Sequence, residues 1–341
     1  MKNTFFTTGL LALSFIATNA QNNIPVYLDD KQPIELRIED VLKRMTLEEK
    51  TRLSYAQGKF SSPGCPRLGI PELWMSDGPH GVRAEINWND WGYAGWTSDS
   101  CTAFPALTCL AASWNTTLAA DYGKAIGEEA RYREKDVLLG PGVNIYRTPL
   151  NGRNFEYLGE DPYLAAELCV PYIQGVQKNG VAACVKHYAL NNQELWRGHI
   201  DVQLSDRALR EIYLPAFQAA VERGGVWSIM GAYNKVRGTH ATHHKLLNND
   251  ILKGEWNFDG CVITDWGAAH DTYEAAMYGL DIEMGSYTNG LTSESEFGYD
   301  DYYLGKNYLQ MVKDGKIPME VVNEKAARVL RLIFRTAMNR E

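Results

Sequence analysis

Gly260-Cys261-Val262-Ile263-Thr264-Asp265-Trp266-Gly267 is the stretch that decides how this chain folds. Cys261 to Thr264 form an apolar run of the kind that fills a buried parallel strand, and it delivers a carboxylate and an indole at its C-terminal end. In an α/β barrel, active sites are built at that end of the strands. Taken alone, Asp265 could equally cap the helix that follows. Four other strand-like runs share the pattern: Leu73 to Pro79, Val137 to Asn144, Val181 to His187 and Trp227 to Asn234 each end in polar groups. Five strands closing on such side chains predict one shared polyol-binding site.

Composition narrows the class. The chain has 341 residues, 45% hydrophobic and 22% charged, enough for one large α/β barrel or two smaller domains. With 34 basic against 42 acidic residues the net charge is −8, which argues against a nucleic acid or an anionic membrane as partner. The 19 Tyr and 9 Trp suit sugar stacking, although aromatic residues also build ordinary cores.

Residues 1–20 read as a cleaved leader: Lys2 is the basic start, Phe5 to Ala17 the apolar segment, and Thr18-Asn19-Ala20 the small-residue cleavage site. The apolar segment is too short to span a bilayer, so the expectation is an exported, secreted or periplasmic protein without membrane insertion. No cysteine near the cleavage point signals a lipid anchor. Export permits disulfides; Cys169 is one of the six cysteines, Cys184 and Cys261 read as core thiols, and any bridge is expected among Cys65, Cys101 and Cys109.

A polar lead over 21–33 precedes one barrel domain over 34–341 with no long linker or repeat. Strands are expected at about 73–77, 103–108, 137–144, 182–187, 227–233, 261–265 and 280–284. Helices are marked by the capping box Thr46-Leu47-Glu48-Glu49 and by Ser205 ahead of residues 206–223, with further helical patterns over 117–133, 270–278, 302–313 and 318–338. Strand-helix alternation over some seven units predicts a closed (β/α)8-type TIM barrel, not necessarily regular, in place of an open Rossmann sheet. No Gly-x-Gly-x-x-Gly follows the first strand, so no dinucleotide cofactor is expected.

Several ordered motifs carry a resemblance. Asp77-Gly78-Pro79-His80-Gly81-Val82-Arg83, Thr102-Ala103-Phe104-Pro105, Gly140-Pro141-Gly142-Val143-Asn144-Ile145, Gly152-Arg153-Asn154-Phe155-Glu156, Gly159-Glu160-Asp161-Pro162, Lys186-His187 and Thr264-Asp265-Trp266 together resemble the barrel domain of glycoside hydrolase family 3, the β-glucosidase family. The match runs over about residues 34–338. It implies a retaining, exo-acting glycosidase that removes terminal β-glucosyl residues from an oligosaccharide or β-glucoside without metal or organic cofactor.

The resemblance implies that Asp265 is the nucleophile of a double displacement through a covalent glycosyl ester. Trp266 would wall the sugar subsite, or else pack the barrel. Asp77 would grip the far hydroxyls of the non-reducing sugar, because a carboxylate accepts two strong hydrogen bonds from vicinal hydroxyls. Arg153 would meet sugar hydroxyls with Glu156 or Glu160 holding it. Tyr233 and Met230 would flank the nucleophile, and Arg83 would act directly or in support. Lys186 and His187 reach ligand only if their strand ends at the barrel mouth, since adjacent strand residues point to opposite faces. Otherwise they form a buried ion pair and a satisfied histidine.

One expected part is missing. Retention needs a second carboxyl about 5 to 5.5 Å from the first to protonate the leaving oxygen. In most of the family that Glu lies in an α/β sandwich domain after the barrel, and this sequence stops at Glu341, where that domain would start. Glu194, Glu211 and Glu283 match no acid motif, and Tyr188 to Glu194 departs from the Lys-His-Phe-Pro-Gly-His-Gly motif of the subgroup that uses a His-Asp pair. His199 and Asp201 lie in that loop in a different order. The acid/base is therefore left unassigned, and the chain alone is expected to hydrolyse natural disaccharides poorly. The alternatives kept open are a β-xylosidase of the same family and a non-catalytic sugar-binding barrel. His240, His243 and His244 have metal-like spacing but read as a solvated loop, and Asn115-Thr116-Thr117 as an unused glycosylation sequon.

Overall fold

The computed structural model describes residues 24–88, 90–96, 100–285 and 298–339; the expected leader over 1–20 and its cleavage point lie outside them. In chain order the strands are β1 (Ser61–Ser62), β2 (Leu73–Asp77), β3 (Val137–Leu139), β4 (Ala182–Tyr188), β5 (Asp201–Val202), β6 (Ser228–Gly231), β7 (Lys235–Val236), β8 (Thr239–His240) and β9 (Cys261–Thr264). Six of them make one curled sheet in the order β1-β2-β3-β4-β6-β9, parallel except where β1 pairs with β2. β5, β7 and β8 form a small sheet on the loops after β4 and β6.

The seam between β9 and the N-terminal edge is bridged by irregular chain. Ile282 pairs with Ile263, and Glu283 with Tyr55. Glu283 N–H donates to the Ser54 carbonyl at 2.9 Å, and Met75 N–H to the Phe60 carbonyl at 2.8 Å, so backbone hydrogen bonds continue across the seam. Sheet edges would otherwise carry unpaired groups.

Helices α1 (Ile34–Arg44), α2 (Leu47–Arg52), α3 (Leu107–Ala112), α4 (Thr116–Tyr132), α5 (Pro162–Gln177), α6 (Asp206–Ala208), α7 (Pro215–Glu222), α8 (Thr272–Met277), α9 (Lys306–Lys313) and α10 (Met319–Arg335) surround the sheet. The Thr46–Glu49 capping box opens α2, and Ser205 caps α6. Asn115, the sequon asparagine, caps α4 by accepting from Leu118 N–H at 3.0 Å. α4 and α5 cross at backbone contact distance: a Cβ on Gly123 would lie 2.1 Å from the Tyr172 carbonyl oxygen, so only glycine fits there. β3, β4, β6 and β9 are buried along their whole length, which is why they read as continuous apolar runs.

Several expectations are corrected. Residues 103–108 form no strand; Pro105 cannot donate to a ladder, and α3 begins at Leu107. β3 stops at Leu139 because Pro141 interrupts the run. The helix expected over 206–223 is broken into α6, a π-helical turn over Leu209–Tyr213 and α7, where Pro215 lacks the N–H that would continue the ladder. Cys65, Cys109, Cys169, Cys184 and Cys261 are free thiols, so the bridge expected among Cys65, Cys101 and Cys109 does not form at Cys65 or Cys109. No helix of the described residues is long and apolar enough to cross a membrane.

The histidines of 240–244 are packed and not solvated. His240 stacks on His270 with ring centroids 3.7 Å apart, and His243 is fully buried. His270 N–H donates to His243 Nε2 at 3.3 Å, so that nitrogen can take no proton without losing the bond. Burial, with the neighbouring His240 and His270, holds His243 down at about 3, against the Glu274 carboxylate that lies 2.9 Å from its Nδ1. Among the described residues no group of three or more His, Cys, Asp or Glu is arranged to hold a metal ion.

These groups predict an acid-labile fold. Burial also lowers His187, His240 and His270, so below pH 6.5 the unfolded chain binds protons that the folded chain refuses. Stability should fall from pH 6.5 toward 3, by on the order of 1 kcal/mol per pH unit for His243 alone. Chemical denaturation between pH 7.5 and 4.5 measures this, and a His243→Gln variant should show a shallower decline.

Candidate active site

The C-terminal ends of β2, β3, β4, β6 and β9 converge. They carry Asp77, Arg153 with Glu156, Lys186 with His187, Tyr233, and Asp265. β4 does not end at His187, as the two adjacent site residues would require; it runs on to Tyr188. Its register to β6 shifts between Val185 and Tyr188, and that irregularity breaks the strict alternation of side chains.

Lys186 lies at the centre with 3% of its side chain exposed, and its Nζ is 2.8 Å from Glu156 Oε1. Glu156 also accepts from Arg153 Nε at 2.7 Å, which leaves Glu160 out of the cluster. Burial alone would raise the Glu156 carboxyl, but Lys186 and Arg153 overcome it and hold it at about 2. Burial likewise works against the charge on Lys186, yet Glu156 and Asp77 raise it above the ordinary lysine value.

His187 has a determined tautomer. Arg153 Nη2 lies 3.1 Å from His187 Nε2, and a guanidinium can only donate, so Nε2 accepts. Nδ1 then carries the proton and donates to Tyr157 Oη at 3.0 Å. Burial, with Arg153, Lys186 and Arg197 nearby, pushes this histidine well below its ordinary value. It is a neutral, fully occupied ring.

Asp265 is 12% exposed at its side chain. Oδ1 accepts from Trp266 N–H at 2.8 Å. Oδ2 is buried and has no hydrogen-bond partner; His187 Nε2, at 3.4 Å, has no proton to offer it. Burial raises this carboxyl above the ordinary range while Arg153, Lys186 and Arg197 pull the other way. The result is a desolvated carboxylate with one uncommitted oxygen in a cationic surround.

Tyr233 Oη donates to the Trp266 carbonyl at 2.9 Å, and burial together with the adjacent Asp265 carboxylate pushes its hydroxyl well above the ordinary tyrosine value. Trp266 has 9% of its surface exposed; its Nε1 donates to the Lys59 carbonyl at 2.7 Å and its ring packs on Phe60. A Cβ on Gly285 would fall 2.2 Å from Trp266 Cδ1, so that position must be glycine. Met230 is buried in β6 opposite Ile263. Asp77, 40% exposed, is paired with Arg83 Nη1 at 3.1 Å.

The structure adds residues that the strand-end pattern does not reach. Arg197 covers the Tyr233 ring with its guanidinium carbon 4.1 Å from the centroid, and Trp91 lies beside Arg83. Both sit on loops with no strand or motif to mark them. Glu194 accepts from Asn191 at 2.9 Å and Arg197 at 2.8 Å, and is 3.4 Å from Arg153. Glu283 accepts the backbone N–H groups of Tyr303 and Leu304 under the seam, and Glu211 pairs with Arg207 on the surface. Asp201 accepts Gly238 N–H on β5. His199 edges against Trp196.

Comparison with known proteins agrees with this geometry. Residues 67–332 match the glycosyl hydrolase family 3 N terminal domain. The chain is 89% identical over 333 residues to a beta-glucosidase of Bacteroides ovatus, covering 98% of this chain and 44% of that protein. It is 44% identical over 253 residues to an exo-alpha-(1->6)-L-arabinopyranosidase of Bifidobacterium longum, covering 73% and 33%. The solved structure of beta-glucosidase 3B from Thermotoga neapolitana in complex with glucose superposes with a TM-score of 0.80 at 35% identity, covering 87% of this chain and 42% of that one. The chain thus spans less than half the length of these relatives. With a curled sheet that gathers Asp77, Arg153, Lys186, His187 and Asp265 at one end, it belongs to glycosyl hydrolase family 3 and carries that family's N-terminal barrel.

Proposed function

We propose that this chain is the barrel of a retaining, exo-acting β-glucosidase and that Asp265 is its nucleophile. The observation that carries the reading is the uncommitted Oδ2 of Asp265, held in place through Oδ1. In the first step Oδ2 forms a bond to the anomeric carbon as the glycosidic C–O bond breaks, and the leaving oxygen takes a proton. In the second, water bonds to the anomeric carbon as its bond to Oδ2 breaks, the water's proton passes to the group that served as acid in the first step, and the carboxylate is returned free. Desolvation strengthens the nucleophile, and Arg153, Lys186 and Arg197 keep a negative charge affordable there. Neutral His187 offers no positive charge against an oxocarbenium-like centre. Asp77 and Lys186 would hold the hydroxyls of a terminal glucose, and the leader over 1–20 would direct the protein to export.

The acid is proposed to come from outside the carboxylates around Asp265. Glu156 and Glu194 both accept bonds from cationic donors, the posture of a carboxylate and not of a proton donor.

Three outcomes are expected. Intact-mass and peptide analysis after a 2-fluoro glucosyl trapping reagent should place the label on Asp265; a label on another residue refutes the assignment. Asp77→Ala should lower kcat/KM on an activated aryl glucoside by about 2 to 4 kcal/mol equivalent, through lost charge-assisted hydrogen bonds, with an unchanged circular dichroism spectrum. The chain should turn over an aryl glucoside with a good leaving group but lag on cellobiose by about 10² to 10⁴-fold relative to a form supplied with the acid. No phenol release at all would favour the sugar-binding alternative.

A further inference from the structure

We infer that Asn144 is a positioning residue for the site: its side-chain amide bonds to the main chain of His187 on the side where Lys186 is already bonded, and this brings two adjacent side chains to one cluster. Along a regular strand they would point to opposite faces.

Past β3 the chain continues beside β4. Lys186 N–H donates to the Pro141 carbonyl at 3.0 Å, and Val143 N–H to the Lys186 carbonyl at 2.8 Å. The next residue of a regular strand would turn its N–H and C=O to the other neighbour, β6. His187 instead donates its N–H to Asn144 Oδ1 at 3.0 Å, and its carbonyl accepts from Asn144 Nδ2 at 2.9 Å, so it faces the β3 side a second time. Tyr188 then turns to β6, where its carbonyl accepts from Ala232 N–H at 2.7 Å. The strand is thus rotated by half a turn between Lys186 and His187, within the register shift to β6.

A carboxamide offers one acceptor and one donor in a plane, as a peptide unit does, and both atoms of Asn144 meet their complement. Exchanging them would set oxygen against oxygen and N–H against N–H. Asn144 is 2% exposed and His187 1%, so both main-chain groups depend on this side chain. As a result Lys186 Nζ and His187 Nε2 reach the same ion cluster, at 2.8 Å from Glu156 and 3.1 Å from Arg153. Tyr157 Oη, at 3.0 Å, takes the far nitrogen Nδ1 and leaves Nε2 3.4 Å from Asp265 Oδ2.

That this placement serves turnover rests on the glycosidase reading; the placement itself does not. The experiment uses the full chain with isotope-labelled histidines and two variants. Asn144→Leu is similar in shape without donor or acceptor, and Asn144→Ser is small enough to fold with water in the gap. The His187 ring signal, assigned from a His187→Gln spectrum, is followed by NMR from about pH 8 to about pH 5.5, across the ordinary histidine value of about 6.5. In the wild type it should not titrate and should carry its proton on Nδ1. In both variants the released ring should titrate within this range, and kcat/KM on an activated aryl glucoside should fall about 10²-fold, the loss expected of a misplaced group. A purely structural amide would lower the thermal midpoint without moving the titration, so a silent His187 in the folded variants overturns the inference whatever the activity. A titrating His187 with unchanged turnover upholds the positioning by Asn144 and counts against His187 in the glycosidase mechanism.

Discussion

A lysine ammonium with 3% exposure can keep its charge inside a barrel only if a carboxylate is held against it, and Glu156 at 2.8 Å from Lys186 supplies that carboxylate. Most of the site follows from this pair. Glu156 in turn fixes Arg153, whose free guanidinium edge compels His187 Nε2 to act as an acceptor. The neutral histidine then leaves Asp265 Oδ2 without a donor. Breaking the pair at either end would strand a buried charge, so the motif residues around Arg153 and those on β4 work as a unit although they are far apart in sequence.

A second buried carboxylate organises the seam. Asp281 has no exposed side chain, and it accepts Val262 N–H at 2.8 Å, Arg328 Nε at 2.8 Å and Lys253 Nζ at 3.1 Å. Burial opposes its charge, but Arg328 and Lys253 hold it at about 2. Because the side chain takes the Val262 N–H that a ladder would use, 280–284 closes the barrel through bridges instead of a regular strand. β9 is thereby anchored from below while Asp265 emerges at its top.

The site also shows a division of charge. Cations gather behind Asp265, while the nearby carboxylates are engaged with them.

The sequence by itself determined the barrel class and most of the neighbourhood of Asp265. Buried parallel strands read as apolar runs, and their polar terminators mark one end of the sheet; Asp265, Asp77, Lys186 and His187 follow from that, and Arg153 from its motif. Caps at Thr46 and Ser205 were legible because their hydrogen bonds are local. Other features were decided by contacts between segments distant in sequence. Packing of His240 against His270 removes these histidines from solvent, and no local pattern announces it. Arg197 and Trp91 stand on loops whose course depends on what they pack against. Which oxygen of Asp265 stays free depends on a chain of donors from Glu156 through Arg153 to His187, and hydrogen-bond direction across four loops exists only once the fold has brought them together.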